Sequence, residues 1–253
     1  MTARELALEL LQKAEKSKQY SNIALDNALK SSDLSTADKG LVSAIFYGVI
    51  ERRITLDYQI KTLSSRDLKD IDTKTLNALR IGLYQLIYLD RIPPHAAINE
   101  SVELCSRKSA GFTNAILRSF LRRGGLTLPS ADNVTEYLSV AYSVDIPLLK
   151  KLLSIFGRES TEKLLSAINE APATTLRVNT LLTDRQALLE KIPSSIPTKN
   201  ASTGILVQGS VRELYGFDEG LFFVQDEASQ ICIEALDARR DELVMDICAG
   251  PGS

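Results

Sequence analysis

The sequence predicts a mixed architecture: a helical half, then a small α+β segment, then the first strand of an α/β domain. Three observations carry this. Apolar residues recur at helical spacing with little interruption through residue 123. Two β-rich runs, TTLRVNTL at 174–181 and GILVQ at 204–208, then flank a helical stretch at 184–191. Near the end, residues 242–247 form a short apolar run that enters a Gly/Pro loop, the pattern of a strand opening a doubly wound sheet.

The helices follow in order. Thr2-Ala3-Arg4-Glu5 is a capping-box pattern that opens a face of Leu6, Leu10, Leu11 and Ala14. Ser35 and Asp38 repeat the signal before Leu41, Val42, Ile45 and Val49. Leu76, Leu79, Leu83, Tyr84 and Ile87 mark a helix that must stop before Pro93-Pro94, because proline has no amide to donate. Two more are expected near 95–107 and 110–122, the last closed by Gly124-Gly125. Five to seven helices with short links make a bundle. Past a linker at Pro129, residues 134–140, 146–156 and 161–169 are predicted helical, and 211–225 is turn-rich and aromatic before a helix at 228–236.

The 253 residues suggest about two domains at ~100–200 residues each. At 44% apolar and 25% charged the chain is globular rather than disordered. No apolar run reaches the ~18–20 residues of a membrane span, and the charged, amphipathic N-terminus is unlike an export signal. Cys105, Cys232 and Cys248 are too few and scattered for a disulfide framework, which suits a reducing cytoplasm. No CxxC or HxxxH pair exists to hold zinc, and any serine or cysteine triad would have to use His95, the single imidazole. Charge is unevenly spread. Residues 1–125 hold 19 Lys+Arg against 14 Asp+Glu, and residues 126–253 hold 11 against 18. A basic half joined to an acidic half hints at a polyanion-binding module, although a solvated surface explains it too.

In LVMDICAGPGS, small residues after an apolar run let backbone approach a nucleotide-like ligand. Arg52, Arg53, Arg107, Lys108, Arg118, Arg122 and Arg123 are candidates for an RNA-facing patch. Arg177 and Asn179 alternate on one predicted strand and would face the same side. Gln225-Asp226-Glu227 opens a helix, where acidic groups favour the dipole without any catalytic role. His95 and Asn99-Glu100 read as capping or packing residues, and Cys105 and Cys232 as small core residues.

DICAGPGS resembles the first motif of the S-adenosyl-L-methionine-dependent RNA cytosine-C5 methyltransferases. LRVN at 176–179 and VQDEASQ at 224–230 are similar to two further words of that family, in its order and spacing. PHAAINESVEL and GFTNAILRSFLRR, within 92–122, resemble the NusB-like RNA-binding fold that precedes the enzyme in a branch acting on bacterial 16S rRNA. The resemblance implies three parts. Residues 1–128 are an all-α NusB-like bundle, and 129–237 are linker helices and a small RRM-like α+β domain. Residues 238–253 are the first strand and loop of a truncated Rossmann-like methyltransferase domain.

By the same resemblance Cys248, Ala249, Gly250, Pro251, Gly252 and Ser253 wrap the methionine and ribose of S-adenosyl-L-methionine, with Ser253 where many relatives have glycine. The chemistry it implies is attack of a cysteine thiolate on cytosine C6, methylation at C5 and loss of the C5 proton. The nucleophile and the ribose-binding carboxylate are expected beyond Ser253, so the chain should bind RNA without methylating it. The implied protein is a cytoplasmic monomer that needs neither membrane nor metal. Rival readings are a non-catalytic antitermination-like RNA-binding module and a helical bundle that docks only protein.

Overall fold

The structure is a computed structural model that describes residues 1–16, 21–170, 173–247 and 249. The chain divides into two compact units, Met1–Asn169 and Glu170–Ser253. The first is helical: α1 (Ala3–Lys16), α2 (Ser21–Lys30), α3 (Thr36–Glu51), α4 (Arg53–Leu63), α5 (Thr73–Tyr88), α6 (Pro94–Glu103), α7 (Arg107–Arg123), α8 (Val134–Tyr142) and α9 (Ile146–Ile168). The capping boxes form. Thr2 N–H donates to Glu5 Oε2 at 2.7 Å, Glu5 N–H donates to Thr2 Oγ1 at 3.2 Å, and Ser35 Oγ accepts from Asp38 N–H at 3.1 Å. Each bond satisfies an amide that a helix start leaves without a partner.

Helix α5 is the axis of this unit, packed on α1, α3, α4, α6 and α7, with Ala78, Leu79, Ile81 and Leu83 fully buried. Arg80 lies on the same helix, only 6% exposed. Its Nε and Nη2 donate to the two carboxylate oxygens of Asp57 on α4 at 2.7 and 2.8 Å, and its Nη1 donates to Glu15 of α1 at 2.8 Å. Burial opposes the guanidinium's charge, but the bonds and charge of Asp57 and Glu15 outweigh it and hold its proton more tightly than usual. The chain approaches α5 closely at Gly48 of α3, where any Cβ would collide with the Tyr84 ring.

Helices α8 and α9 pack within this unit. The Thr55 hydroxyl of α4 donates to the Val140 carbonyl at 2.6 Å, and Ile54 N–H donates to Ser143 Oγ at 3.1 Å. Helix α9 is broken at Gly157, whose φ of 71° is left-handed, so it consists of two segments as the sequence predicts.

The second unit holds β1 (Thr174–Val178), α10 (Arg185–Lys191), β2 (Ile196–Pro197), β3 (Gly204–Val207), β4 (Phe222–Val224) and α11 (Glu227–Leu236). The sheet order is β2-β3-β1-β4 with every neighbouring pair antiparallel, so β3 sits between the parallel strands β1 and β2 in a split βαβ arrangement. Leu176, Val178, Ile205, Val207 and Phe222 form one buried face with Leu188 and Ile192 of α10. Helix α11 is fastened to the 198–203 turn by its acids. Glu227 Oε1 accepts from the amides of Asn200 and Ala201, and Glu234 Oε1 from the amide and hydroxyl of Ser202.

One expectation fails. Residues 242–247 form no strand, and Leu243, Met245 and Ile247 are exposed. A strand of a parallel sheet needs a neighbouring strand to pair with and helices to cover its faces, and neither meets this run among the described residues.

Candidate nucleic-acid interface

Helix α7 carries Arg107, Lys108, Arg118, Arg122 and Arg123 and no acidic residue. Thr113, Ile116, Leu117 and Phe120 are its buried face. Arg107, Lys108, Arg118 and Arg122 are exposed, and none is in an ion pair among the described residues. Two heads are held by neutral partners on their own helix, Arg118 Nε on Asn114 Oδ1 at 2.9 Å and Arg122 Nη2 on Ser119 Oγ at 2.8 Å. Such bonds orient a guanidinium without neutralising it. Arg107 and Lys108 stand in the first turn, where the helix dipole disfavours cations, so fold stability does not explain them.

The rest of the predicted patch separates by geometry. Arg53 is exposed. Arg52 bonds the Asn169 carbonyl at 3.3 Å and lies over the Tyr88 ring. Arg123 donates to Gln59 Oε1, Thr62 Oγ1 and the Gly125 carbonyl, and burial lowers its pKa. Both are therefore tied into the fold rather than turned outward.

In the second unit Arg177 lies on β1, opposite Phe223 of β4, with its guanidinium carbon 5.4 Å from the ring centroid. Sequence reasoning passed over Phe223, although the FFV triplet before QDEASQ was the available signal. Asn179 does not continue the strand beside Arg177. The strand ends at Val178, and the Asn179 side chain donates to the Gly220 carbonyl at 2.9 Å to close a turn. Gln225 and Gln230 are buried, and Asp226 caps α11 by accepting from Ala228 N–H at 2.8 Å. The QDEASQ segment thus does local structural work.

Cys105 is half-buried with Sγ 3.2 Å from Thr113 Oγ1, and burial pushes its thiol up, away from thiolate character. Cys232 is exposed on α11 rather than in the core. His95 is exposed in the first turn of α6, and Glu100 accepts from Arg4 Nη1 at 3.5 Å. Of the predicted cofactor loop, Ala249 is exposed, while Cys248, Gly250, Pro251, Gly252 and Ser253 lie outside the described residues. Among the described residues no acid, cysteine or histidine cluster suits a metal, and no helix is long and apolar enough to cross a membrane.

Comparison with known proteins agrees with this geometry. Residues 1–122 match the NusB family, and residues 148–211 match the Methyltr_RsmF/B-like, ferredoxin-like domain. Probable ribosomal RNA small subunit methyltransferase B of Bacillus subtilis is 33% identical over 99% of this chain and 58% of its own length. Its namesake in Synechocystis is 29% identical over 100% of this chain and 59% of its own length. The chain therefore spans somewhat over half the length of these curated relatives. The crystal structure of PH0851 is 20% identical and covers 94% of this chain and 56% of its own, with a TM-score of 0.62, which shows a shared fold. The chain thus holds a NusB domain followed by an RsmF/B-like ferredoxin-like domain, and along its length it is similar to proteins named ribosomal RNA small subunit methyltransferase B.

Proposed function

We propose that this chain is the RNA-recognising part of a methyltransferase that modifies C5 of a cytosine in 16S rRNA. The observation that carries the RNA reading is the outward face of α7, where Arg107, Lys108, Arg118 and Arg122 enter no ion pair with an acid among the described residues. Phosphate contacts of this kind give affinity and strong salt dependence rather than base choice. The methyl-transfer reading is supported by the names of the full-chain relatives and by the DICAGPGS motif. Residues 1–128 hold RNA, 129–237 link and position, and 238–253 begin the cofactor-binding domain.

S-adenosyl-L-methionine supplies the methyl group when bound. The residues assigned to it are Cys248, Ala249, Gly250, Pro251, Gly252 and Ser253, whose small side chains suit backbone contact with a ligand. Ala249 is exposed, as a residue that meets a ligand needs to be. None of the three cysteines is assigned as nucleophile. Cys105 is held toward the neutral thiol, Cys232 sits on the outer side of α11, and Cys248 belongs to the loop.

Fluorescence anisotropy with a labelled 16S rRNA fragment tests the first half. Log affinity should fall linearly with log salt, and binding that is absent or indifferent to salt sinks the RNA reading. Incubation of these 253 residues with labelled S-adenosyl-L-methionine and 16S rRNA tests the second. No turnover is expected, and methylation above background would overturn the cysteine assignments.

A further inference from the structure

We propose that Arg177 and Phe223 form a stacking site for one base of single-stranded RNA, a proposal that rests on the RNA reading above and names the form of RNA recognised. Their Cα positions are cross-strand partners in the β1–β4 pair, so both side chains leave the same face of the sheet. The guanidinium carbon lies 5.4 Å from the ring centroid, within cation–π range.

Among the described residues three other arginines lie over rings: Arg52 over Tyr88, Arg66 over Phe112 and Arg123 over Phe120. In each of those the ring is buried or half-buried, so the arginine covers the rim of a side chain already packed. Phe223 differs. It is 45% exposed, and Arg177 enters no ion pair and donates no side-chain hydrogen bond among the described residues. The pair is thus an open aromatic face beside an uncompensated cation.

Charge chooses the occupant. Residues 170–253 hold 7 Lys+Arg against 13 Asp+Glu, so this unit repels a polyanion as a whole and lacks the cations for a phosphate track. A base stacking on a ring gains affinity without a positive field, and the adjacent guanidinium adds a cation–π or phosphate contact at one point. Duplex RNA keeps its base faces stacked inside, so only an unpaired base can use this site.

The sequence contains no tryptophan, which makes the site directly readable. In the Phe223→Trp chain the new indole is the lone tryptophan, and its emission is followed while anisotropy of a labelled RNA reports total binding. A single-stranded 16S rRNA segment should quench that indole to saturation at the same midpoint as the anisotropy change. A duplex of equal length should bind with no quenching. Phe223→Ala should weaken single-strand binding about tenfold and duplex binding hardly at all, and Phe223→Tyr should restore it. Binding of the single strand without quenching, or equal quenching by the duplex, overturns the stacking site and leaves the RNA reading standing. No binding of either RNA overturns both.

Discussion

The two units use their acids in different ways. In the helical unit a buried cation is neutralised by acids from two other helices, with Arg80 of α5 holding Asp57 of α4 and Glu15 of α1. In the sheet unit acids are spent on main-chain amides, with Glu227 and Glu234 of α11 accepting from the 200–202 turn. Net charge differs in the same direction. The helical unit holds 23 Lys+Arg against 19 Asp+Glu, the sheet unit 7 against 13. The helical unit pairs two of its acids with one buried arginine, and Arg107, Lys108, Arg118 and Arg122 of α7 enter no ion pair among the described residues. The sheet unit has few cations to spare and offers an aromatic surface instead. On the proposed function, the chain would present two kinds of RNA contact, one made with the backbone and one with a base.

The sharpest way to break this contrast is to remove Arg80. Arg80→Met leaves Asp57 and Glu15 facing each other with no cation, and because both acids keep access to water the loss costs about 2–3 kcal/mol. Thermal unfolding followed by far-ultraviolet circular dichroism should show the helical signal melting earlier. Hydrogen exchange in β1 and β3 should stay as in the parent chain. The matching change in the other unit is Leu176→Ala, which empties the centre of a small apolar face and costs about 3 kcal/mol. Its effect should appear as faster exchange in the sheet with the helical melt unchanged. Equal responses of both units to either substitution would show that they do not unfold independently.

A smaller effect sharpens the functional side. Arg118→Ala with Arg122→Ala should leave the melting temperature within a degree or so, since both side chains are exposed and touch only neutral partners. The slope of log affinity against log salt should fall by about 1.5–2 as two phosphate contacts are lost. Arg52→Ala and Arg123→Ala should do the reverse, lowering stability through their lost hydrogen bonds while changing the slope little.

Much of the fold is legible because it is local. Thr2 and Glu5, Ser35 and Asp38, Pro93-Pro94 and Gly124 each act within a few residues, and each marks the boundary expected of it. What escaped is non-local. Arg80 lies in an apolar helical pattern, and its partners are 23 and 65 positions away. Strand β4 is three residues long and β2 two, too short for alternation to register. The run at 242–247 has the composition of a strand, but composition reports only a preference for burial, and the neighbours that would grant it are not among the described residues. At the candidate interface the basic cluster was legible as a cluster. That Arg122 faces solvent while its neighbour Arg123 is bound to Gln59 was not, because Gln59 comes from α4.

The finest distinction concerns acid. Each unit has a carboxylate held below its ordinary range, mainly by a side-chain hydrogen bond: Asp72 with Thr75 at the start of α5, and Glu234 with Ser202 beside the sheet. A carboxyl whose pKa is lower folded than unfolded contributes stability that is complete above its unfolded value, about 4. That contribution fades as pH falls through the folded value. Asp72→Ala also removes the cap that accepts from Thr75 N–H at 3.0 Å, which costs about 1 kcal/mol at pH 7. The cost should shrink as pH falls from about 4 through the lowered folded value, where the parent carboxyl becomes protonated as well. Asp72→Asn keeps an acceptor that does not titrate, so it should remove the pH dependence while losing little stability at pH 7. Glu234→Gln should likewise flatten the acid limb, but only in the exchange rates of the sheet unit, because that carboxylate is bonded to the Ser202 turn alone. If instead the helical melt of Glu234→Gln tracked pH differently from the parent, the two units would be coupled through charge, and their separate treatment would fail.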